Sequence, residues 1–216
     1  MPLIMGTLNV RSIGAHENLC VLAQLASHHR LDILTVSEAR FKGGDAVIRT
    51  PTGETYKWMA STPDHPYTGV GVLLRTALTD DIMVIRRSPR IMAVNVNHPH
   101  TPVSVIIAYA PQNAETAAIR ARFWQDMQDT CGDHRLRNQI VVHGDFNAHI
   151  AREDLAQTHP VAAICPDWLQ PTNANGGAIP ELCAAARLKI RNAQQCGALS
   201  QLMTFAPPNG IHTLID

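Results

Sequence analysis

The chain is short of paired cysteines, aromatic rings and net charge, and each shortage narrows its chemistry. Its five cysteines (Cys20, Cys131, Cys165, Cys183 and Cys196) are odd in number and scattered, with no CxxC pair. That removes the usual sequence signature of a zinc or redox site and points to a reducing, intracellular compartment, nucleus or cytoplasm left open. Lys and Arg total 18 against 18 Asp and Glu, so no overall field recruits a polyanion, and any nucleic-acid contact must come from local charge. Three Trp, three Tyr and four Phe make no base-stacking platform, which favours duplex over single strands as a nucleic-acid partner. No apolar run approaches the roughly 20 residues of a membrane-spanning helix. The apolar opening, residues 1–6, is brief, lacks a basic flank and fails as a signal peptide; it reads as a first strand.

What is present is a 216-residue chain with 45% hydrophobic content, enough for one domain with a substantial core. Short β-branched runs at 3–10, 31–37, 70–74, 82–85, 91–96, 103–108 and 140–143 are strand candidates. Two stripes at helical spacing lie between them: Leu19, Leu22, Leu25 and Ala26 after Glu17, and Ile119, Phe123 and Met127 after Asn113. From about Tyr56 to Ala108 no connection is long enough for a helix, so those strands should pair mostly antiparallel.

Beyond Ala148 the text turns irregular, with Pro160, Pro166, Pro171 and Pro180 and the cluster Thr172-Asn173-Ala174-Asn175-Gly176-Gly177. This reads as a long surface excursion rich in turn chemistry. A short helix is expected over 179–186, then strands near 188–191 and 199–205, a turn at 207–210 and a last apolar run to Asp216.

The most informative pattern is positional. Asn9 closes one apolar run, Glu38 the next, Tyr109 follows 103–108, and Asp145 and Asn147 follow 140–144. In α/β folds ligands gather outside the carboxyl ends of strands, so five such residues are candidates for one cleft. Singly, each is ordinary punctuation, since Asn and Asp cap helices and open turns.

In order and spacing these residues resemble the metal-dependent endonuclease/exonuclease/phosphatase superfamily, and within it the endonucleases of non-LTR retrotransposons and their domesticated relatives. Thr7-Leu8-Asn9-Val10-Arg11-Ser12 is similar to the opening WNVRS segment, Val36-Ser37-Glu38-Ala39-Arg40 to QETR, and Gly69-Val70-Gly71-Val72 to HGVG. Tyr109-Ala110-Pro111 resembles YAP and Gly144-Asp145-Phe146-Asn147-Ala148 resembles GDFNA; Asn173-Ala174-Asn175-Gly176, Met203-Thr204-Phe205 and Leu214-Ile215-Asp216 follow.

The resemblance implies a four-layered α/β sandwich of two mixed β-sheets flanked by helices, in a single domain over 1–216 that stops before its final catalytic-histidine segment. It implies hydrolysis of a DNA phosphodiester with Mg2+, or Mn2+ in its place. Glu38, Asn9 and Asp145 would serve the metal, Asp145 and Asn147 the attacking water, Tyr109 the phosphate and Arg11 the substrate, while Asp216 would orient the later histidine. Mg2+ suits such a donor set because it takes few carboxylates and keeps several waters. The natural parent is expected to be fused to a reverse transcriptase. Leu8 departs from the family Trp, a change in packing more than in chemistry. The missing histidine removes a transition-state contact, so activity is expected to be impaired. Two alternatives accompany this reading: an inactive fragment that retains DNA or protein binding, and a hydrolase of a small phosphate ester on the same fold.

Other features read as ordinary structure. His28-His29 and His98-Pro99-His100 suit helix ends and turns, and Asp145, Asn147 and His149 lack the glycine and glutamate of a calcium loop. His143 and His149 flank the Asp145 motif but arise from the wrong strand end to replace the missing histidine. Arg86, Arg87 and Arg90 form the densest basic group, read equally as a solvated loop or a DNA contact.

Overall fold

Strand residues alternate between two faces, and in this chain both faces of the central strands are apolar. The arrangement that satisfies them is seen in a computed structural model, which describes residues 3–62, 68–99, 102–151, 154 and 171–190. The elements are β1 (Met5–Asn9), α1 (His16–His28), β2 (Ile33–Ser37), β3 (Ala46–Arg49), β4 (Thr55–Ala60), β5 (Gly71–Arg75), a 3-10 turn (Thr76–Leu78), β6 (Ile82–Ser88), β7 (Ile91–Val96), β8 (Val103–Tyr109), α2 (Ala117–Cys131), β9 (Gln139–Asp145) and α3 (Ala174–Ala186). They divide into two compact units that interleave in sequence, residues 1–109 with 129–144, and residues 110–128 with 145–216.

The first unit holds both sheets, ordered β1-β2-β5-β4-β3 and β6-β7-β8-β9. In the first sheet β1 and β2 are parallel and the remaining pairs antiparallel. In the second, β6, β7 and β8 pair antiparallel. The ends of β8 and β9 lie together, with Ala110 N–H donating to Asp145 O at 2.8 Å, so β9 runs parallel to β8, as the intervening helix α2 requires. The fold is thus α/β, with two mixed sheets flanked by helices.

Alternation explains the layers. Leu34 and Val36 of β2, Tyr56 and Trp58 of β4 and Leu73 of β5 turn one way and receive Leu19, Leu22, Ala23 and Ala26 of α1. Ile33, Met59, Val72 and Leu74 turn the other way and meet Met92, Val94 and Val96 of β7 and Val103, Val105 and Ile107 of β8. Each such side chain contributes roughly 1.5–3 kcal/mol by leaving water. One polar pair interrupts the inter-sheet layer: Thr35 Oγ1 lies 3.2 Å from His143 Nδ1 of β9 and also donates to Gly6 O at 3.2 Å. With its one proton on Gly6, the hydroxyl accepts from the imidazole. Burial pushes the His143 pKa down.

Several expectations are corrected. The cluster 172–177 is a helix start: Asn173 caps α3 through its side chain, which accepts from Gly176 N–H at 2.7 Å, and the helix runs from Ala174, five residues before the expected start. Residues 188–190 form no strand. β3 stands where no strand candidate was marked, while β4 fills the stretch from about Tyr56 where the antiparallel strands were expected to begin. Leu25 and Ile119, expected on buried stripes, are exposed. Arg86 and Arg87 belong to strand β6 and are ion-paired, Arg86 with Asp45 and Arg87 with Asp133; of the group only Arg90 lies in the turn between two strands. The expected elements at 199–205, 207–210 and 212–216 lie outside the described residues. Among the described residues no helix is long and apolar enough to cross a membrane.

Candidate active site

Parallel pairing of β1 with β2 aligns Asn9 with Ser37, which places Glu38 one residue beyond the paired end. There Asn9 Nδ2 donates to Glu38 Oε1 at 3.0 Å, and Asn9 Oδ1 accepts from Arg11 N–H at 3.0 Å. The second carboxylate oxygen, Oε2, accepts from Arg40 Nη2. Glu38 is buried, and its loop is pinned by Ala39 N–H to Gly69 O at 2.8 Å and Arg40 N–H to Thr68 O at 3.2 Å.

The backbone here is unusual. Six described non-glycine residues have left-handed φ: Arg11, Arg30, Glu38, Arg40, Asn147 and Arg187. Arg30 and Arg187 follow the ends of α1 and α3, where such a conformation is routine. The other four lie in the loops that carry Asn9, Glu38 and Asp145. Left-handed backbone outside helix ends costs of order 1 kcal/mol or more and persists only where surrounding bonds over-determine it, a condition that clusters at functional sites.

Tyr109 ends β8 and is 3% exposed, its ring belonging to the inter-sheet core. The Arg90 guanidinium lies 5.2 Å from the ring centre and donates to Tyr109 O at 3.5 Å, a cation–π contact. Arg90, read from sequence as part of a surface basic group, is instead folded onto a candidate site residue.

The second unit carries Asp145 and Asn147. Asn147 N–H donates to Asp145 Oδ1 at 2.9 Å and its side chain donates to Ala110 O at 2.8 Å. Its carbonyl accepts from Asn173 Nδ2 at 2.9 Å. Asn175, fully buried, donates to Pro111 O at 2.7 Å and to Asn147 O at 3.4 Å, while accepting from Trp124 Nε1 at 3.3 Å. Asn173 and Asn175 therefore brace the Asp145 loop. Sequence reasoning missed this role because Asn beside Gly signals a turn as readily as a helix cap. Asp216 lies outside the described residues.

Glu38 offers a hard carboxylate oxygen, with the Asn9 side chain hydrogen-bonded beside it. Among the described residues no three His, Cys, Asp or Glu side chains gather into a group able to hold a metal. This sparse set fits Mg2+, which binds through one or two carboxylates and keeps its waters.

The fold is shared with known structures. The AP endonuclease LMAP from Leishmania major is similar with a TM-score of 0.55 at 12% identity, covering 83% of this chain and 65% of that one. This chain thus spans less than two thirds of the Leishmania enzyme's length. The endonuclease domain of TRAS1, a telomere-specific non-LTR retrotransposon, gives 0.51 at 12% identity over 83% of this chain and 70% of that one. An AP endonuclease from Archaeoglobus fulgidus gives 0.52 at 16% identity, with 86% and 70% covered. At these identities the likeness is one of fold. No curated protein sequence matches the chain. The sequence profile of the endonuclease/exonuclease/phosphatase family matches residues 6–180. With most of its length matched by that profile, the chain belongs to the endonuclease/exonuclease/phosphatase family.

Proposed function

We propose that this protein hydrolyses phosphodiesters of duplex DNA in a Mg2+-dependent reaction, in the manner of a retrotransposon-type endonuclease. The observation that carries the reading is the Asn9–Glu38 bond at the ends of two parallel strands, on backbone held left-handed at Glu38. A carboxylate fixed at such cost is suited to chemistry more than to packing. When bound, the metal ion supplies Lewis-acid polarisation of a phosphate oxygen.

The chain's own residues divide the remaining work. Glu38 presents the ligand oxygen and Asn9 orients it. Asp145, which already accepts a hydrogen bond from Asn147 N–H, takes the proton of the attacking water. Asn147, its own amide fixed on Ala110 O, keeps that loop in register. Arg11, exposed and two residues past Asn9, meets the DNA backbone; Tyr109 serves the phosphate through its hydroxyl, Arg90 holding the ring.

The substrate is tested by giving the protein three targets in Mg2+: an undamaged duplex, the same duplex with one abasic site, and a small aryl phosphodiester. Cleavage of the undamaged duplex supports the retrotransposon-type reading. Cleavage confined to the abasic strand replaces it with an AP-endonuclease reading. Turnover of the small ester alone overturns DNA as the substrate.

A further inference from the structure

We propose that Arg40 is the resident cation of the Glu38 site and sets its threshold for divalent metal; this inference rests on the metal reading above. Arg40 donates through Nη2 to Glu38 Oε2, and the pair is largely shielded, with side-chain exposures of 26% and 11%. Both residues are left-handed, φ 47° and 51°, and both are anchored to Thr68 and Gly69 through the Ala39 and Arg40 backbone. The loop therefore holds the guanidinium against the carboxylate.

The consequence is electrostatic. One oxygen of Glu38 receives Asn9, the other a full positive charge. A divalent ion approaching this carboxylate meets a charge already neutralised and a cation a few Å away, in a place where solvent screens poorly. It must displace the guanidinium or share the carboxylate with it. Arg40 thereby keeps metal affinity low in the absence of substrate.

The direction of the effect separates this role from a structural one. A salt bridge that merely held Glu38 in place would lower metal affinity when removed, whereas a competing cation raises it. Binding of Mn2+ alone is measured by electron paramagnetic resonance for the wild type, Arg40→Gln, Arg40→Lys and Glu38→Gln, with circular dichroism checking the fold of each. Arg40→Gln is expected to bind Mn2+ about tenfold more tightly, and Arg40→Lys, which keeps the charge, within about threefold of wild type. Unchanged or weaker binding in a folded Arg40→Gln overturns the proposal. Glu38→Gln distinguishes the two levels: if it abolishes Mn2+ binding while Arg40→Gln leaves it unchanged, the metal site stands and the role of Arg40 falls. If Glu38→Gln binds like wild type, the metal reading itself falls and takes this inference with it.

Discussion

The side chain of Asn9 donates to Glu38 Oε1 at 3.0 Å, joining the ends of two parallel strands that are 29 residues apart in sequence. One further group depends on it, since Asn9 Oδ1 also accepts from Arg11 N–H. Asn9→Ala leaves a buried carboxylate oxygen and a backbone N–H without that partner and is expected to cost about 1–3 kcal/mol. Asn9→Asp places a second carboxylate beside Glu38, and like charges at that separation repel. That variant is expected to unfold at lower urea concentration in chelator and to recover when Mn2+ is added. Urea midpoints with and without Mn2+ check both outcomes.

Asn175 is expected to matter more for stability than its place in a polar, glycine-rich segment implies. It is fully buried and serves Trp124, Pro111 and Asn147 at once. Asn175→Ala strands the indole N–H and a buried carbonyl, at about 2–3 kcal/mol. A urea titration should show a lower midpoint with an unchanged slope, the sign of lost stability and not of a different unfolded state.

This residue also marks where sequence reading stops. The strands at Ile33–Ser37, Ile91–Val96 and Val103–Tyr109 are legible because they are short, mostly apolar runs rich in β-branched residues. β3 is not, because a four-residue edge strand with Val47 exposed and Ile48 buried carries too short an alternation to stand out. The start of α3 is hidden because Asn and Gly serve caps and turns alike. Type and spacing single out Asn9, Glu38, Asp145 and Asn147, and within the first unit the structure joins Asn9 to Glu38. The grip of Arg40 on Glu38 and the asparagine brace depend on loop dihedrals that no pattern of residue types encodes.

Gly144, within the GDFNA-like motif, is required by space as well as by conformation. Its φ is +146°, and a Cβ there would lie 1.8 Å from Ala108 O. The obstacle is backbone of the neighbouring strand and has nowhere to yield. Gly144→Ala is expected to cost more than about 3 kcal/mol, seen as a large fall in thermal midpoint or as failure to recover folded protein.

The Thr35–His143 pair makes stability fall with acid. Burial lowers the His143 pKa below its ordinary 6.5, so the folded state binds fewer protons than the unfolded state as pH drops through that value. Stability therefore rises with pH in this window and is lost as pH falls from 6.5 toward the folded pKa, at up to about 1.4 kcal/mol per pH unit for one proton. His143→Gln, which keeps hydrogen-bonding capacity without the proton uptake, is expected to flatten the dependence of urea stability between pH 7 and 5.

The central claim is Mg2+-dependent phosphodiester hydrolysis through Asp145, and nicking of supercoiled plasmid tests it most directly. Wild-type protein and Asp145→Ala, both shown to be folded, are compared in Mg2+ and in chelator. The account predicts relaxed circles from the wild type in Mg2+ alone, with loss of at least about a hundredfold in rate for Asp145→Ala. Nicking that survives the substitution or the chelator, or its absence from folded wild-type protein in Mg2+, would contradict it.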